Sequence, residues 1–199
     1  GVRPDLEALA RAVTPRTRAV MINSPNNPSG YVYTREEIEG IARLAVERDL
    51  WILSDEIYRS LVYDGATAAS PVSCSPEARA HTIVLDGASK AFAMTGYRIG
   101  YLAGPRAVAA AVAKLHSQTT GSPNAVSQHA FEAGLKRQPP EMDAMRAAFA
   151  ARRDFLLGGL TELGLPCPSP RGAFYVFPDV WAYTENRGSV SFCEELLEA

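Results

Sequence analysis

Four short runs of apolar, largely β-branched residues punctuate the first half of the chain: RAVMIN (18–23), LWILS (50–54), TIVLD (82–86) and RIGYLAG (98–104). Each has the length of a strand and is flanked by Pro, Gly, Asn or Asp, so each is expected to be extended. Between the first two the period changes. In TREEIEGIARLAVERD (34–49), Ile38, Ile41, Ala42 and Ala45 recur at helical spacing on one face. Thr34 and Glu37 stand at the spacing of a capping box, which marks where that helix starts. Strand, helix and a nearly continuous apolar strand together predict an α/β domain with a mainly parallel sheet covered on both faces. Such sheets bind ligands at the carboxyl ends of their strands.

After Pro105 the pattern turns helical. RAVAAAVAKLHSQ (106–118) and NAVSQHAFEAGL (124–135) are separated by the breaker TTGSP. From Pro139 and Pro140, EMDAMRAAFAARRDFLLGGLTEL carries one long amphipathic helix to a stop at Gly164. GLPCPSPRG then reads as a loop and AFYVFPDV (173–180) as a fifth strand. A domain boundary is expected near residue 138. PDLEALARAV enters a helix almost at the first residue, and SFCEELLEA opens on Ser191 and Glu194, spaced as a second capping box, then stops in mid-helix. Both ends read as cuts, so the chain is expected to be a piece of a longer protein.

Composition narrows the function classes. The 199 residues carry a net charge of −2 and are 47% hydrophobic, as in globular proteins. A nucleic-acid binder would show a basic excess, and a membrane protein a long apolar run; neither is expected here. No leader pattern opens the chain, and Cys74, Cys167 and Cys193 are odd in number and widely spaced. That predicts a reducing, cytoplasmic setting. His81, His116 and His129 lack metal-ligand spacing.

Candidate chemistry gathers where the predicted strands end. NSPNNPSG follows the first, SDEIY the second and DGASK the third, while GYRIG opens the fourth. Asn27 alone would be a turn residue, Asp55 a helix cap, Tyr58 a packing residue, Lys90 a solvated lysine and Arg98 an ion-pair partner. Together they say more. Beside Gly87, Ala88 and Ser89, the Lys90 amine can approach a ligand closely and lose water, which favours a nucleophilic amine. A carboxylate at the neighbouring strand end can keep a ring nitrogen protonated, a phenol can bond a ring hydroxyl, and an arginine can grip phosphate. These are the requirements of a pyridoxal 5'-phosphate site.

The same residues resemble those of the class I/II aminotransferases, the fold-type I pyridoxal phosphate enzymes. SKAFAMTGYRIGY is similar to that family's Ser-Lys-x-x-x-x-x-Gly-x-Arg-x-Gly signature, and SDEIY to its Asp-Glu-x-Tyr element. NSPNNPSG resembles its Asn-Pro-x-Asn-Pro-Thr-Gly loop, with Ser24 for the first Asn and Ser29 for Thr. RGAFYVFPDV resembles the Gly-x-Phe-Tyr segment at the start of its small domain. The resemblance implies that Lys90 forms the internal aldimine and shuttles the substrate's α-proton. It implies that Asp55 pairs with the pyridine nitrogen and that Tyr58 and Asn27 bond the 3-oxygen, Asn27 also meeting the substrate carboxylate. Arg98 would hold the phosphate, with Ser89 beside it; Gly87 stands where some relatives carry a phosphate-binding serine. Residues 1–138 would then be the carboxyl-terminal part of the large cofactor-binding domain, and 139–199 a linking helix and the beginning of a smaller α+β domain. The implied activity is transfer of an amino group between an amino acid and a 2-oxo acid, in a homodimer. The wording is nearest the bacterial aspartate-aminotransferase-like branch. Family members are about twice this length, so the chain alone is expected to be inactive.

Other readings of the same residues are a fold-type I lyase or decarboxylase, and the aminotransferase-like sensor domain of a transcription regulator. The last needs a basic helix-turn-helix, which this sequence does not display. The intact lysine signature argues against a non-catalytic remnant, and no glycine-rich Lys-Ser/Thr loop points to a nucleotide.

Overall fold

The computed structural model describes residues 3–184 and 187–199. Four strands, β1 (Ala19–Asn23), β2 (Trp51–Asp55), β3 (Thr82–Gly87) and β4 (Gly100–Ala103), form one sheet in the order β1-β2-β3-β4. β1, β2 and β3 are parallel, with Asn23 opposite Asp55 and Asp55 opposite Leu85. Helix α1 (Leu6–Ala12) precedes β1, α2 (Arg35–Glu47) joins β1 to β2, and α3 (Pro76–His81) leads into β3. The Thr34–Glu37 capping box forms in both directions. The Glu37 N–H donates to Thr34 Oγ1 at 3.2 Å, and the Thr34 N–H donates to Glu37 Oε2 at 2.9 Å.

The core lies on one face. Ile38, Ile41, Ala42 and Ala45 of α2 pack with Val20, Ile22 and Ile52 of the sheet and Ala78 of α3, and Leu6 and Leu9 of α1 close its edge. Covering on both faces, expected from the apolar runs, is not what β1 and β2 show. Both alternate, and Met21 on the opposite face is 66% exposed. The helices that connect these strands all lie on the core side. Strands added in sequence order through right-handed crossovers put every connecting helix on the same side.

β4 runs antiparallel, pairing Gly87 with Gly100 and Val84 with Ala103. The link from β3 is too short to return to the far end of the sheet, so the chain turns back where it stands. It holds a single helical turn, α4 (Ala88–Ala91), and a 3-10 turn at Thr95–Tyr97. The start of β4 therefore lies beside the carboxyl ends of β1, β2 and β3. A β-carbon on Gly87 would come within 2.9 Å of Ile99 O and 3.0 Å of Gly100 Cα, and one on Gly100 within 2.9 Å of Asp86 O. The two backbones touch there, so a side chain at either glycine would force them apart.

Helices α5 (Arg106–Thr119), α6 (Ala125–Arg137), α7 (Glu141–Glu162) and α8 (Gly188–Glu198) follow. Phe131 of α6 packs against Phe92 and Tyr101 near the β3–β4 turn, whereas α5, α7 and α8 bury no residue. α7 stops at the expected place, with Gly164 at φ +70°. Two expectations are corrected. Residues 173–180 are not a strand: only Gly172 pairs, in an isolated bridge to Val62, and Ala173 turns to φ +58° with its N–H on Leu61 O at 2.9 Å. Among the described residues no neighbouring strand continues that bridge, and the aromatic side chains of the segment pack instead on Tyr58 and on Phe149 of α7. Ser191 is not a cap. α8 begins at Gly188, so Ser191 sits in the helix and its hydroxyl donates back to Arg187 O at 3.3 Å. Among the described residues no helix is long and apolar enough to cross a membrane.

Candidate active site

The loop after β1 is organised by Asn23. Its Oδ1 accepts the Asn27 backbone N–H at 2.8 Å, and its Nδ2 donates to Asp55 O at 3.3 Å, which ties this loop to the end of β2. Ser24, in the place of the family pattern's first Asn, is buried, and its Oγ accepts the Tyr33 N–H at 3.0 Å. Ser29 Oγ donates to Asn26 Oδ1 at 2.6 Å, closing the turn ahead of Gly30.

Three acids stand near the strand ends, and their surroundings separate them. Glu56 is buried and saturated: Ser54 and Ser70 hydroxyls donate to Oε1, and Arg59 lies 3.4 Å from Oε2. Asp86 accepts the Gly87 N–H at 2.7 Å and the Tyr101 hydroxyl at 3.2 Å, and burial pushes its carboxyl up against the pull of those bonds. Asp55 is the open one. Its Oδ1 accepts only the Ile57 N–H, at 3.1 Å, and among the described residues no cation lies within ion-pair distance.

Lys90 is carried on α4 just past β3 and is half-buried. Among the described residues its ammonium has no hydrogen bond or ion pair. Nζ lies instead over two aromatic faces, 5.6 Å from the Tyr58 ring centre and 5.1 Å from that of Phe174. Tyr58 is 4% exposed, and its hydroxyl meets that of Tyr175 at 2.6 Å. The Asn27 amide also reaches Tyr175, donating from Nδ2 at 3.4 Å. Burial first, then the bond to Tyr175, pushes the Tyr58 phenol well above its ordinary value, the Asn27 amide acting weakly the other way. Tyr58 is therefore a neutral donor at any physiological pH.

Arg98 is exposed, held in the left-handed region at φ +50°, with Nη1 donating to Thr95 O at 3.0 Å. Among the described residues no carboxylate pairs with it, so it is not a structural ion-pair partner. Ser89, next to Lys90, is half-buried. The structure thus brings Asn27, Asp55, Tyr58 and Lys90 to one end of the sheet, and the antiparallel course of β4 adds Arg98. Phe174 and Tyr175 join them from 116 and 117 residues beyond Tyr58. Sequence reasoning gave these two no role, although RGAFYVFPDV had drawn attention; nor did it single out Asn23. A hollow of about 660 Å³ beside Arg59, Arg79 and Tyr101 does not include the lysine.

In chemical terms the cluster offers an amine, a carboxylate, a neutral phenol beside an amide, and a guanidinium, the three charged groups being without an opposite charge among the described residues. A ligand with an aldehyde, a basic ring nitrogen, a phenolic oxygen and a phosphate matches each of these in turn, so the donor set fits pyridoxal phosphate. A model of the family Aminotransferase class I and II matches residues 1–199. The chain belongs to this family. The aspartate/prephenate aminotransferase of Thermus thermophilus is 48% identical over 202 residues, covering all of this chain and 51% of that protein. The solved aspartate aminotransferase from Thermus thermophilus with maleate superposes with TM-score 0.91 at 47% identity, over 98% of this chain and 50% of that one. The N-succinyldiaminopimelate aminotransferase from Mycobacterium tuberculosis gives 0.92 at 35% identity, again over 98% and 50%. The chain spans about half the length of the relatives it matches. Its sheet and helices are those of an aminotransferase, and the lysine signature lies inside the matched region.

Proposed function

We propose that the protein carrying this chain is a pyridoxal phosphate-dependent aminotransferase that moves an amino group between an amino acid and a 2-oxo acid. When bound, pyridoxal phosphate supplies an aldehyde that captures amines and a ring that accepts the electrons released with an α-proton. Lys90 provides the amine that holds the aldehyde, and afterwards takes and returns the proton at the substrate's α-carbon. Asp55 keeps a proton on the ring nitrogen through its charge. Tyr58 and Asn27 donate to the ring oxygen, and Asn27 also orients the substrate carboxylate. Arg98 grips the phosphate with its planar fork, and Ser89 adds a hydroxyl.

One observation carries the reading: Lys90, Asp55 and Arg98 converge at one sheet end, none of them paired with an opposite charge among the described residues. The names of the relatives support aspartate as amino donor, and they do not favour a lyase, a decarboxylase or a regulator's sensor domain. In our reading residues 1–138 belong to the large domain and 139–199 to the linking helix and small domain. The working form is a cytoplasmic homodimer, and the 199-residue chain alone does not transaminate.

The test is borohydride reduction of the complete gene product after loading with pyridoxal phosphate, followed by peptide mass mapping. A pyridoxyl adduct on Lys90, with amino transfer from aspartate to 2-oxoglutarate in the unreduced sample, is expected. An adduct on Lys114 or Lys136 instead would overturn the assignment.

A further inference from the structure

Tyr58, Tyr175 and Asn27 meet at one point, and hydrogen-bond bookkeeping gives that meeting a direction. The two phenol oxygens are 2.6 Å apart, and the Asn27 amide donates to Tyr175 Oη at 3.4 Å. Each phenol has one hydrogen to give and an oxygen that accepts. An amide NH₂ has only hydrogens, so in this trio Tyr175 is the acceptor toward Asn27. If Tyr58 were the donor of the short bond, Tyr175 Oη would accept twice and its own hydrogen would have no acceptor among the described residues. If Tyr175 is the donor, it accepts once and donates once. The second arrangement gives the Tyr175 hydrogen an acceptor and leaves the Tyr58 hydrogen unspent.

We infer that Tyr175 is a positioning residue: it takes the Asn27 N–H and donates to Tyr58, so that the Tyr58 hydroxyl is committed as a donor to an anionic oxygen of the bound ligand. The inference rests on the proposed reading of the site, in which that oxygen is the ring oxygen of pyridoxal phosphate. Donors arranged in series strengthen one another, so Tyr58 is a better donor with Tyr175 behind it than alone. The charged groups facing the trio are Lys90, 5.6 Å above the Tyr58 ring, and Asp55, whose field also acts on the Tyr58 phenol. Neither supplies a hydrogen bond to Tyr58; Asn27 acts on the phenol only weakly, and the phenol's one short bond is to Tyr175.

The hydroxyl can be removed while its ring is kept. Tyr175 also packs on Phe174 at 4.8 Å and on Tyr58 at 5.8 Å between ring centres, contacts that Tyr175→Phe retains. The experiment is a spectrophotometric pH titration of the complete gene product loaded with pyridoxal phosphate, for wild type, Tyr175→Phe, Tyr58→Phe and the double variant. Donors to the ring oxygen favour the proton-poor form of the chromophore, in which that oxygen bears the full negative charge. Losing a donor therefore moves the titration midpoint up. Tyr175→Phe is expected to raise it by roughly half a pH unit, the scale of one net hydrogen bond, and Tyr58→Phe by more. The double variant should match Tyr58→Phe, because Tyr175 acts through Tyr58. An unmoved midpoint in Tyr175→Phe, or a shift that adds to that of Tyr58→Phe, would overturn the inference while leaving the cofactor site intact. A wild type that takes up no cofactor would overturn the site reading, and this inference with it.

Discussion

The first eighty-odd residues and the last sixty are held in different ways. α2 buries six residues and meets a shared core with β1, β2 and α3, so its structure is set by packing against its sequence neighbours. α7, almost twice as long, buries none, and Phe155 and Leu156 on it are 81% and 49% exposed. The later part is joined to the first by the Arg153–Asp64 ion pair, by backbone bonds from residues 171–173 to Gly30 and Leu61, and by a small aromatic cluster. Phe149 stacks on Phe174 at 5.2 Å, Phe174 and Tyr175 lie against Tyr58, and Met145 packs beside them. Burial is concentrated in the first region. The second reaches the candidate site through Phe174 and Tyr175, which lie against Tyr58. A region poorly anchored by area can still matter greatly to function when its anchors are the site itself.

This contrast can be broken at several points. In the complete gene product, Lys90→Ala should lower amino transfer by a factor on the order of 10⁴, about 5.5 kcal/mol of barrier, with the sheet intact by circular dichroism. Retained turnover would detach the lysine from the chemistry. Asp55→Asn keeps shape and removes charge. Turnover should drop by roughly a thousandfold with cofactor still bound, and steady-state kinetics beside an absorbance spectrum would show it.

Stability should divide along the same line. In the 199-residue chain, Ile41→Ala, at a side chain 1% exposed, should cost roughly 2–5 kcal/mol in urea unfolding, while Phe155→Ala should stay within about 0.5. Equal costs would mean that something covers α7 in solution. The smallest effect sharpens the first region. Thr34→Ala removes half of the capping box and should cost about 1 kcal/mol. Burial acts to raise the Glu37 carboxyl, but bonds from the Thr34 backbone, Tyr31 and Arg3 outweigh it and hold the carboxyl below its ordinary value. Its contribution is therefore complete above the ordinary carboxylate range and lost as pH falls below it; a urea midpoint that rose on acidification through that range would contradict this.

How much was legible beforehand follows the same division. The four strands, α2 with its cap, and the stop of α7 at Gly164 were readable because each rests on local rules: alternation, helical spacing, a side chain three residues from its partner. Asn27, Asp55, Tyr58, Lys90 and Arg98 were readable as a set because a parallel sheet delivers its strand ends to one place. The sequence alone determined which residues are candidates for the chemistry and that they gather there. It did not determine the direction of β4, the open face of β1 and β2, the loss of the strand at 173–180, or the entry of Phe174 and Tyr175 beside Lys90. Those depend on what lies across the fold. Strand direction follows from where a connection can reach, a strand exists only where another offers its edge, and a bond between Tyr58 and Tyr175 spans 117 residues that no local pattern connects.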